Sequence, residues 1–239
     1  MRLLLHSASS GEENLAIDEA LLEGAESSAT PREVLRLWEP TAPLVVVGRS
    51  SHLDVEVNEP VCAERAIPIL RRASGGAAIV TGPGCLMYAV VLSVEARPEL
   101  ASIDAAHRFV LETLVAALAP LVGDIRHEGT CDLTLDGRKF SGNSLRVRRR
   151  NVLYHGTLLY DFPLELIGAC LKQPPRQPEY RVARAHADFV TNLPIGHDAL
   201  VEALVAGWHA VGPADEPDPE LVARLIEEKY GQASWNRKY

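Results

Sequence analysis

Residues 67–94 carry three short apolar runs in direct succession: IPILRR (67–72), AAIVTG (77–82) and CLMYAVVLSV (85–94), with Ser-Gly-Gly and Gly-Pro-Gly between them. Runs of this length bounded by turn residues read as strands. A second series follows at 132–162, where Asp136-Gly137 and Arg149-Arg150-Asn151 divide the chain into a β-meander. Strands that follow strands, without strict alternation with crossover helices, argue against a doubly wound sheet and for antiparallel or mixed pairing. Neither a G-x-G-x-x-G nor a P-loop pattern is present.

Further strands are expected at 2–6, 34–40 and 43–49. Ser9 or Ser10 is placed to cap a helix over 12–26, with acids at its start. The clearest helix covers 104–121, with Asp104 as N-cap and Phe109, Val110, Leu114, Ala117 and Leu118 at helical spacing. Short helices are expected at 58–66 and 164–171, and two more at 198–211 and 219–230, before a tail at 236–239. The pattern predicts an α+β fold, a mixed and largely antiparallel sheet flanked by helices. With no internal repeat or linker, residues 1–239 read as a single domain.

A net charge of −8 argues against a nucleic-acid partner. The longest apolar runs fall short of a membrane span, and the first residues make no signal peptide. A cytoplasmic protein with neither nucleic acid nor membrane as partner is the expectation. Cys62, Cys85, Cys131 and Cys170 show no C-x-x-C spacing, so no metal site is expected and ordinary buried thiols are.

Two segments carry the chemistry: RRASGGAAIVTGPG (71–84) and DGRKFSGNSLR (136–146). Each sets a basic side chain beside glycine and a hydroxyl. Glycine lets main-chain N–H groups approach a ligand, successive N–H groups form an anion site, and a fixed cation completes it. Together they predict one cleft that grips a carboxylate or polyanion from two sides. On a strand Arg71 and Arg72 face opposite ways, so one enters the cleft and its neighbour is solvated. Ser74, Gly75 and Gly76 would supply the N–H cradle, and Lys139 the second cation. His155-Gly156-Thr157 lies mid-meander, where a histidine is more often packed than catalytic. Cys131 lies eight positions before Lys139, but nothing marks a base to activate it, so a strand-edge thiol without a role is the simpler reading. RVRRR (146–150) is either a solvated turn or a patch for an acidic partner. The polar stretch 174–189, with three prolines, is long for a loop and reads as functional or mobile.

In NLAIDEALL (14–22), LWEPTAPLVVVGR (37–49), RRASGGAAIV (71–80), GRKFSGNS (137–144), YHGTLLYDF (154–162) and VTNL (190–193), in that order, the chain resembles the lipoate–protein ligase family of the biotin/lipoate ligase and octanoyltransferase superfamily. The resemblance implies a class II aminoacyl-tRNA synthetase/biotin synthetase-like catalytic domain with Lys139 as catalytic lysine. It implies that Arg72 contacts the acyl carboxylate or nucleotide phosphate. Gly75, Gly76, Ala77, Ala78, Ile79 and Val80, after Ser74, become the wall and cradle of an acyl-adenylate. His155 and Gly156 line the acyl pocket, Ser141 and Gly142 accompany Lys139, and Arg49 borders the site. The implied ligands are lipoate or octanoate, ATP with Mg²⁺, and lipoyl-AMP. The implied acceptor is a lipoyl domain of a 2-oxoacid dehydrogenase or the glycine cleavage H protein.

The chain departs from the family pattern at several places. Ala77 replaces a third glycine, Thr81 stands where a histidine often follows, and Gly82-Pro83-Gly84 is more like the octanoyltransferases. Many bacterial ligases carry an accessory domain of roughly a hundred residues after the catalytic one. The sequence ends without it, so a separate accessory subunit is one expectation. The alternatives are an octanoyl or lipoyl transferase using a thioester on Cys131 or Cys170, and a non-catalytic acyl-binding homologue. Neither cysteine has the transferases' spacing from the lysine, which favours a ligase. The Gly-Arg-Gly-Arg type motif of biotin ligases is absent.

Overall fold

Cys85–Ser93 and Asn151–Leu159 are buried along their whole length and pair antiparallel, with His155 opposite Ala89. The first is almost continuously apolar, as suits a strand covered on both faces, while the second buries His155 and Thr157 among its apolar residues. The computed structural model describes residues 1–174 and 176–239, and the two strands lie at the centre of its larger sheet. In chain order the strands are β1 (Arg2–Leu5), β2 (Val34–Trp38), β3 (Leu44–Val47), β4 (Ile69–Arg71), β5 (Ile79–Thr81), β6 (Cys85–Ser93), β7 (Ile125–Glu128), β8 (Asp132–Leu135), β9 (Arg138–Val147) and β10 (Asn151–Leu159). Seven of them run β1-β2-β6-β10-β9-β8-β7, with β1–β2 parallel and the other pairs antiparallel. This is the expected α+β class with a mixed, largely antiparallel sheet. Strand β7 was not foreseen: Ile-Arg-His-Glu is a short polar edge with one buried residue, so no alternation announces it.

The smaller sheet corrects an expectation. β4 and β5 read as strands flanking one turn, but each pairs with β3, which lies between them, parallel to β4 and antiparallel to β5. Four consecutive buried aliphatics suit β3 to the centre. The chain from Arg72 to Ala78 therefore passes over the end of β3 instead of closing a hairpin, and this places the Ser-Gly-Gly segment beside Gly48.

The helices are α1 (Gly11–Ser27), the single turn α2 (Leu53–Glu56), α3 (Glu59–Glu64), α4 (Ile103–Val122), α5 (Glu165–Cys170), α6 (His186–Phe189), α7 (His197–Gly207), α8 (Pro219–Leu225) with a π-helical turn over Ile226–Tyr230, and α9 (Ala233–Asn236). Ser10 caps α1 by accepting from the Glu13 amide at 3.1 Å. The cap of α4 is Ser102, which accepts from Ala105 at 3.1 Å, and not Asp104. Asp104 sits in the first turn, where its charge complements the helix dipole. The first of the two late helices stops at Gly207, and α9 occupies part of the expected tail. Within 174–189 the chain forms a 3₁₀ turn at Glu179–Arg181 and then α6, while Pro175 lies outside the described residues.

Three apolar clusters hold these layers. α4 and α7 cover one face of the large sheet, where Val110, Leu114, Leu118 and Leu204 meet Leu35, Tyr88, Val90 and Leu133. α1 and α8 cover the other, through Leu15, Leu22 and Val222 against Ala89, Val91 and Leu153. Each such side chain is worth about 1.5–3 kcal/mol over its exposed state. The third cluster joins the small sheet to α5 and α6 through Val47, Val80, Ile167 and Phe189. Between the small sheet and the β9–β10 arm lies a cleft.

Candidate active site

The cleft has two adjoining chambers. The larger, of ≈ 410 Å³, is walled by Leu15, Trp38, Val46 and Met87, with Asp18, His155 and Gly156 among its lining. The smaller, of ≈ 120 Å³, is walled by Val80, Phe140, Ile167, Leu171 and Phe189, with Glu56, Lys172 and His186 at its margin. Ala77, Ala78, Ile79, Lys139 and Gly142 border both chambers. The two sequence segments therefore do face one hollow, with Arg72 on the larger chamber.

The amides of Gly75, Gly76 and Ala77 are on exposed residues and have no hydrogen-bond partner among the described residues. Gly76 has φ +86°, a region that side-chain-bearing residues rarely enter. The next amide, Ala78, donates to Glu56 Oε2 at 2.6 Å, so one cradle N–H already holds a carboxylate.

Arg72, which lines the larger chamber, is bound to its own loop and to β3. Its Nε donates to Ser74 Oγ and Gly75 O, each at 3.1 Å, Nη2 to Gly75 O at 2.5 Å and Ala77 O at 3.0 Å, and Nη1 to Val46 O at 3.2 Å. The guanidinium holds the carbonyls of Gly75 and Ala77, and the Gly76 and Ala77 residues of the same loop line the larger chamber. Burial pulls Arg72 down to about 10, so it stays charged at neutral pH. Arg71, expected to be solvated, is fully buried, because its fork meets the carbonyls of Gly48 and Ser51. Arg49 is exposed and lines neither chamber; its amide donates to Ser74 O at 2.8 Å.

His155 is tied into a polar chain. Its Nε2 lies 2.6 Å from Ser74 Oγ and its Nδ1 3.5 Å from Asp18 Oδ2, while Asp18 Oδ1 accepts from Arg36 at 2.5 Å. Burial by itself would raise Asp18, but Arg36 and His155 prevail and hold its carboxyl below the usual range. An Nδ1–H directed at Asp18 leaves Nε2 to accept from the Ser74 hydroxyl. Ser141 is buried beside the smaller chamber, where its Oγ accepts from Asn143 Nδ2 at 3.0 Å.

Lys139 stands just past a register shift between β8 and β9. Its Nζ lies 2.7 Å from Asp132 Oδ1, and 27% of its side chain is exposed, so solvent reaches the ammonium. A Cβ on Gly142 would lie 2.8 Å from that nitrogen, so glycine is what lets the side chain fold across the strand. Tyr180, from the 174–189 stretch, donates its hydroxyl to Asp132 Oδ2 at 2.7 Å. Asp132, Tyr180 and Glu56 were not picked out in the sequence. The signal for Asp132 was its place across the Asp136-Gly137 hairpin from Lys139; for the other two there was none.

The remaining candidates separate cleanly. Cys131 lines the larger chamber, but its Sγ–H donates to Asn143 O at 2.9 Å, and burial pushes the thiol up, away from the nucleophilic thiolate. Cys170 is fully buried and lines neither chamber; its neighbour Cys62 is pushed up to about 11 by burial and by Cys170 itself. Three of the four arginines in the RVRRR cluster are paired, and Arg149 is exposed. Arg146 pairs with Glu19 at 2.7 Å, Arg148 with Glu23, and Arg150 with Glu95 at 3.2 Å.

This arrangement matches known proteins along most of its length. The lipoyl protein ligase A/B catalytic domain model matches residues 10–205. Lipoate-protein ligase LplJ of Bacillus subtilis is 26% identical over 93% of this chain and 69% of that protein. Octanoyltransferase LipM of Kyrpidia tusciae is 26% identical over 98% of this chain and 97% of that protein. Among solved structures, lipoate-protein ligase A bound with ATP superposes with a TM-score of 0.85 at 22% identity, covering 99% of this chain and 98% of the other. The bi-partite lipoate protein ligase of Thermoplasma acidophilum, studied with its E2 lipoyl domain, gives 0.83 at 23% identity, covering 99% and 95%. At these identities the structures establish the shared fold. With a catalytic-domain model spanning both halves of the cleft, the chain belongs to the lipoyl protein ligase A/B catalytic domain family, a family of enzymes.

Proposed function

We propose that the chain is a lipoate–protein ligase that activates lipoate, or octanoate, with ATP and passes the acyl group to a lysine of a lipoyl domain. The observation that carries this reading is the meeting of the Lys139 side chain and the Gly76–Ala77 backbone, whose amides are unbonded among the described residues, around one cleft, with a larger chamber of mixed lining and a smaller, mostly apolar one. The Leu15, Trp38, Val46 and Met87 wall of the larger chamber suits a medium-length acyl chain, and the apolar walls of the smaller one suit the planar base of the nucleotide, its phosphates lying along the cleft between them.

In the first step a carboxylate oxygen of the acid attacks the α-phosphorus of ATP and pyrophosphate leaves, giving acyl-AMP. The cradle amides take the phosphate oxygens, as open N–H groups do in anion nests. Lys139 leaves Asp132 and neutralises the charge that builds between carboxylate and phosphorus, a positioning and electrostatic task. In the second step the acceptor lysine nitrogen attacks the acyl carbon, the C–O bond to AMP breaks, and the nitrogen's proton passes to solvent. Arg72 acts through the cradle whose carbonyls it holds. Mg²⁺ enters as part of MgATP, and no protein ligand is assigned to it. The acceptor is a lipoyl domain of a 2-oxoacid dehydrogenase or the glycine cleavage H protein, and the bi-partite archaeal neighbour supports adding a second subunit to the assay.

The test is incubation with MgATP, lipoate or octanoate, and an apo lipoyl domain, with and without candidate accessory subunits. AMP release and a domain heavier by one acyl group are expected. Modification from acyl-carrier thioesters alone, without AMP, would reject the ligase in favour of a transferase. The full-length likeness to an octanoyltransferase supports keeping that second reading. It requires a thiolate in the cleft, where Cys131 is a hydrogen-bonded thiol. Under the ligase reading Cys131→Ala retains activity.

A further inference from the structure

Arg71 points away from the cleft, yet it is among the most tightly held side chains in the protein. Its Nη1 donates to Gly48 O at 2.7 Å and Ser51 O at 2.8 Å, its Nε to Trp235 O at 3.0 Å and its Nη2 to Asn236 O at 3.3 Å. The main chain of Arg71 is gripped as well. Its amide donates to Asn236 Oδ1 at 2.9 Å, and its carbonyl accepts from Trp235 Nε1 at 2.8 Å. β4 is the edge strand of the small sheet, so at Arg71 two side chains of the 229–239 segment take the place of a neighbouring strand. The segment is fixed in turn at its other end. Lys229 Nζ and Tyr230 Oη donate to Glu19 Oε2 at 2.7 and 2.6 Å, and Asn236 Nδ2 donates to Tyr230 O at 2.8 Å.

The loop that Arg71 holds on its far side is the loop that touches the cradle. Arg49 N donates to Ser74 O at 2.8 Å, and Ser51 Oγ donates to Gly76 O at 3.1 Å. A Cβ on Gly48 would fall 1.8 Å from Gly76 O, so the two backbones are in direct contact. Two links therefore join the segment to the cradle: Trp235 and Asn236 to Arg71 and its 48–51 loop, and that loop to Ser74 and Gly76. We infer that residues 229–239 form a positioning strap for the anion cradle, with Arg71 as its buried strut and Trp235 and Asn236 as its positioning residues. The strap touches no ligand; it fixes the carbonyls of Ser74 and Gly76, so that the amides of Gly75–Ala77 stay turned toward the cleft. Its importance for catalysis rests on the ligase reading, but its mechanical claim does not.

The experiment is amide hydrogen exchange on the whole, unliganded chain, which reads the strap without any assay of activity. Asn236→Ala removes the acceptor for the Arg71 amide. Asn236→Asp keeps that acceptor, and Trp235→Phe removes the indole N–H while keeping a ring. In Asn236→Ala and Trp235→Phe, exchange at the hydrogen-bonded amides of Arg49, Ser51 and Ala78 should quicken about tenfold, the scale of one lost hydrogen bond, while β6 and β10 keep wild-type rates. Asn236→Asp should restore the cradle's protection. Quickening confined to 229–239, or equal quickening in β6 and β10, overturns the strap in favour of local fraying or general destabilisation. If Asn236→Ala does not fold, Trp235→Phe decides alone. A chain without ligase activity whose cradle still loosens would retain the strap and lose the proposed function; an active ligase with an unmoved cradle would do the reverse.

Discussion

Arg72 and Lys139 occupy matching places in two segments of similar composition, each a cation beside glycine and serine, yet the structure uses them in opposite ways. Arg72 is buried and makes five hydrogen bonds to its own loop and to β3. Lys139 is reached by solvent and held by one carboxylate. The difference follows from the head groups. A planar fork of five N–H donors can organise several carbonyls at once, whereas an ammonium on a flexible stem is a point charge that can change partners. The first shapes backbone; the second is available to meet a ligand.

The strongest way to break this contrast is Lys139→Ala. Loss of a donor aimed at developing charge costs on the order of 10²-fold or more in turnover. Because Lys139 holds no carbonyl of the core, the melting temperature should stay near wild type. A variant that lost both activity and several degrees of stability would make Lys139 a structural residue like Arg72.

Arg72→Lys tests the other half. Lysine keeps the charge but cannot reach Val46, Gly75 and Ala77 together, so the buried Val46 carbonyl loses its partner, at about 1–3 kcal/mol, while Gly75 and Ala77 are exposed and can turn to water. Thermal or denaturant unfolding should therefore show a loss of about 2 kcal/mol, with activity falling in parallel. Unchanged stability with lost activity would return Arg72 to a direct ligand contact.

How much of this was legible in the sequence differs for fold and site. The fold was largely readable, because β6 is an almost unbroken apolar run of the kind a doubly covered strand uses, and because the Asp136-Gly137 and Arg149-Arg150-Asn151 turns set off β9 and β10. The pairing of β4 and β5 was not, since three-residue strands carry too little pattern to show that β3 lies between them. In the site, both cations and the glycines were legible as a set. Which cation serves its own loop was not, because that depends on the left-handed backbone at Gly76 and on the β3–β4 register. The Asp132–Tyr180 contact joins residues 48 positions apart and carries no local signature.

Acidification sharpens the contrast between buried and exposed charge. Asp18 and Glu19, adjacent on α1, have ordinary values of 3.8 and 4.5 that the fold lowers. For both, burial opposes the shift. It is outweighed by Arg36 and His155 for Asp18, and for Glu19 by hydrogen bonds from Lys229 and Tyr230 with Arg146 alongside. A carboxylate depressed in the folded state contributes stability that is present above its unfolded value and lost as pH falls through its folded value. Melting temperature should therefore hold down to about pH 4.5 and fall below it. Glu19→Gln should flatten part of that fall; an unaltered acid limb would mean that Glu19 is not among the groups that matter.

The smallest effect is expected at a third set of cations, RVRRR, in which Arg146, Arg148 and Arg150 are paired with carboxylates and Arg149 is exposed. Arg148 pairs with Glu23, and both side chains are partly exposed (37% and 28%), so water screens the pair. Exposed pairs of this kind contribute less than ~1 kcal/mol, and Arg148→Ala should lower stability by no more than that, most visibly at low salt. The same variant asks whether the patch recognises an acidic acceptor. Because the acids of α1 already face these arginines, the proposed acyl transfer to a lipoyl domain should change less than about twofold when one is removed, with its salt dependence unaltered. If transfer fell tenfold while adenylate formation persisted, the arginines would have to leave their glutamates to meet the acceptor, and this cluster would join Lys139 as cations that exchange an internal carboxylate for a partner.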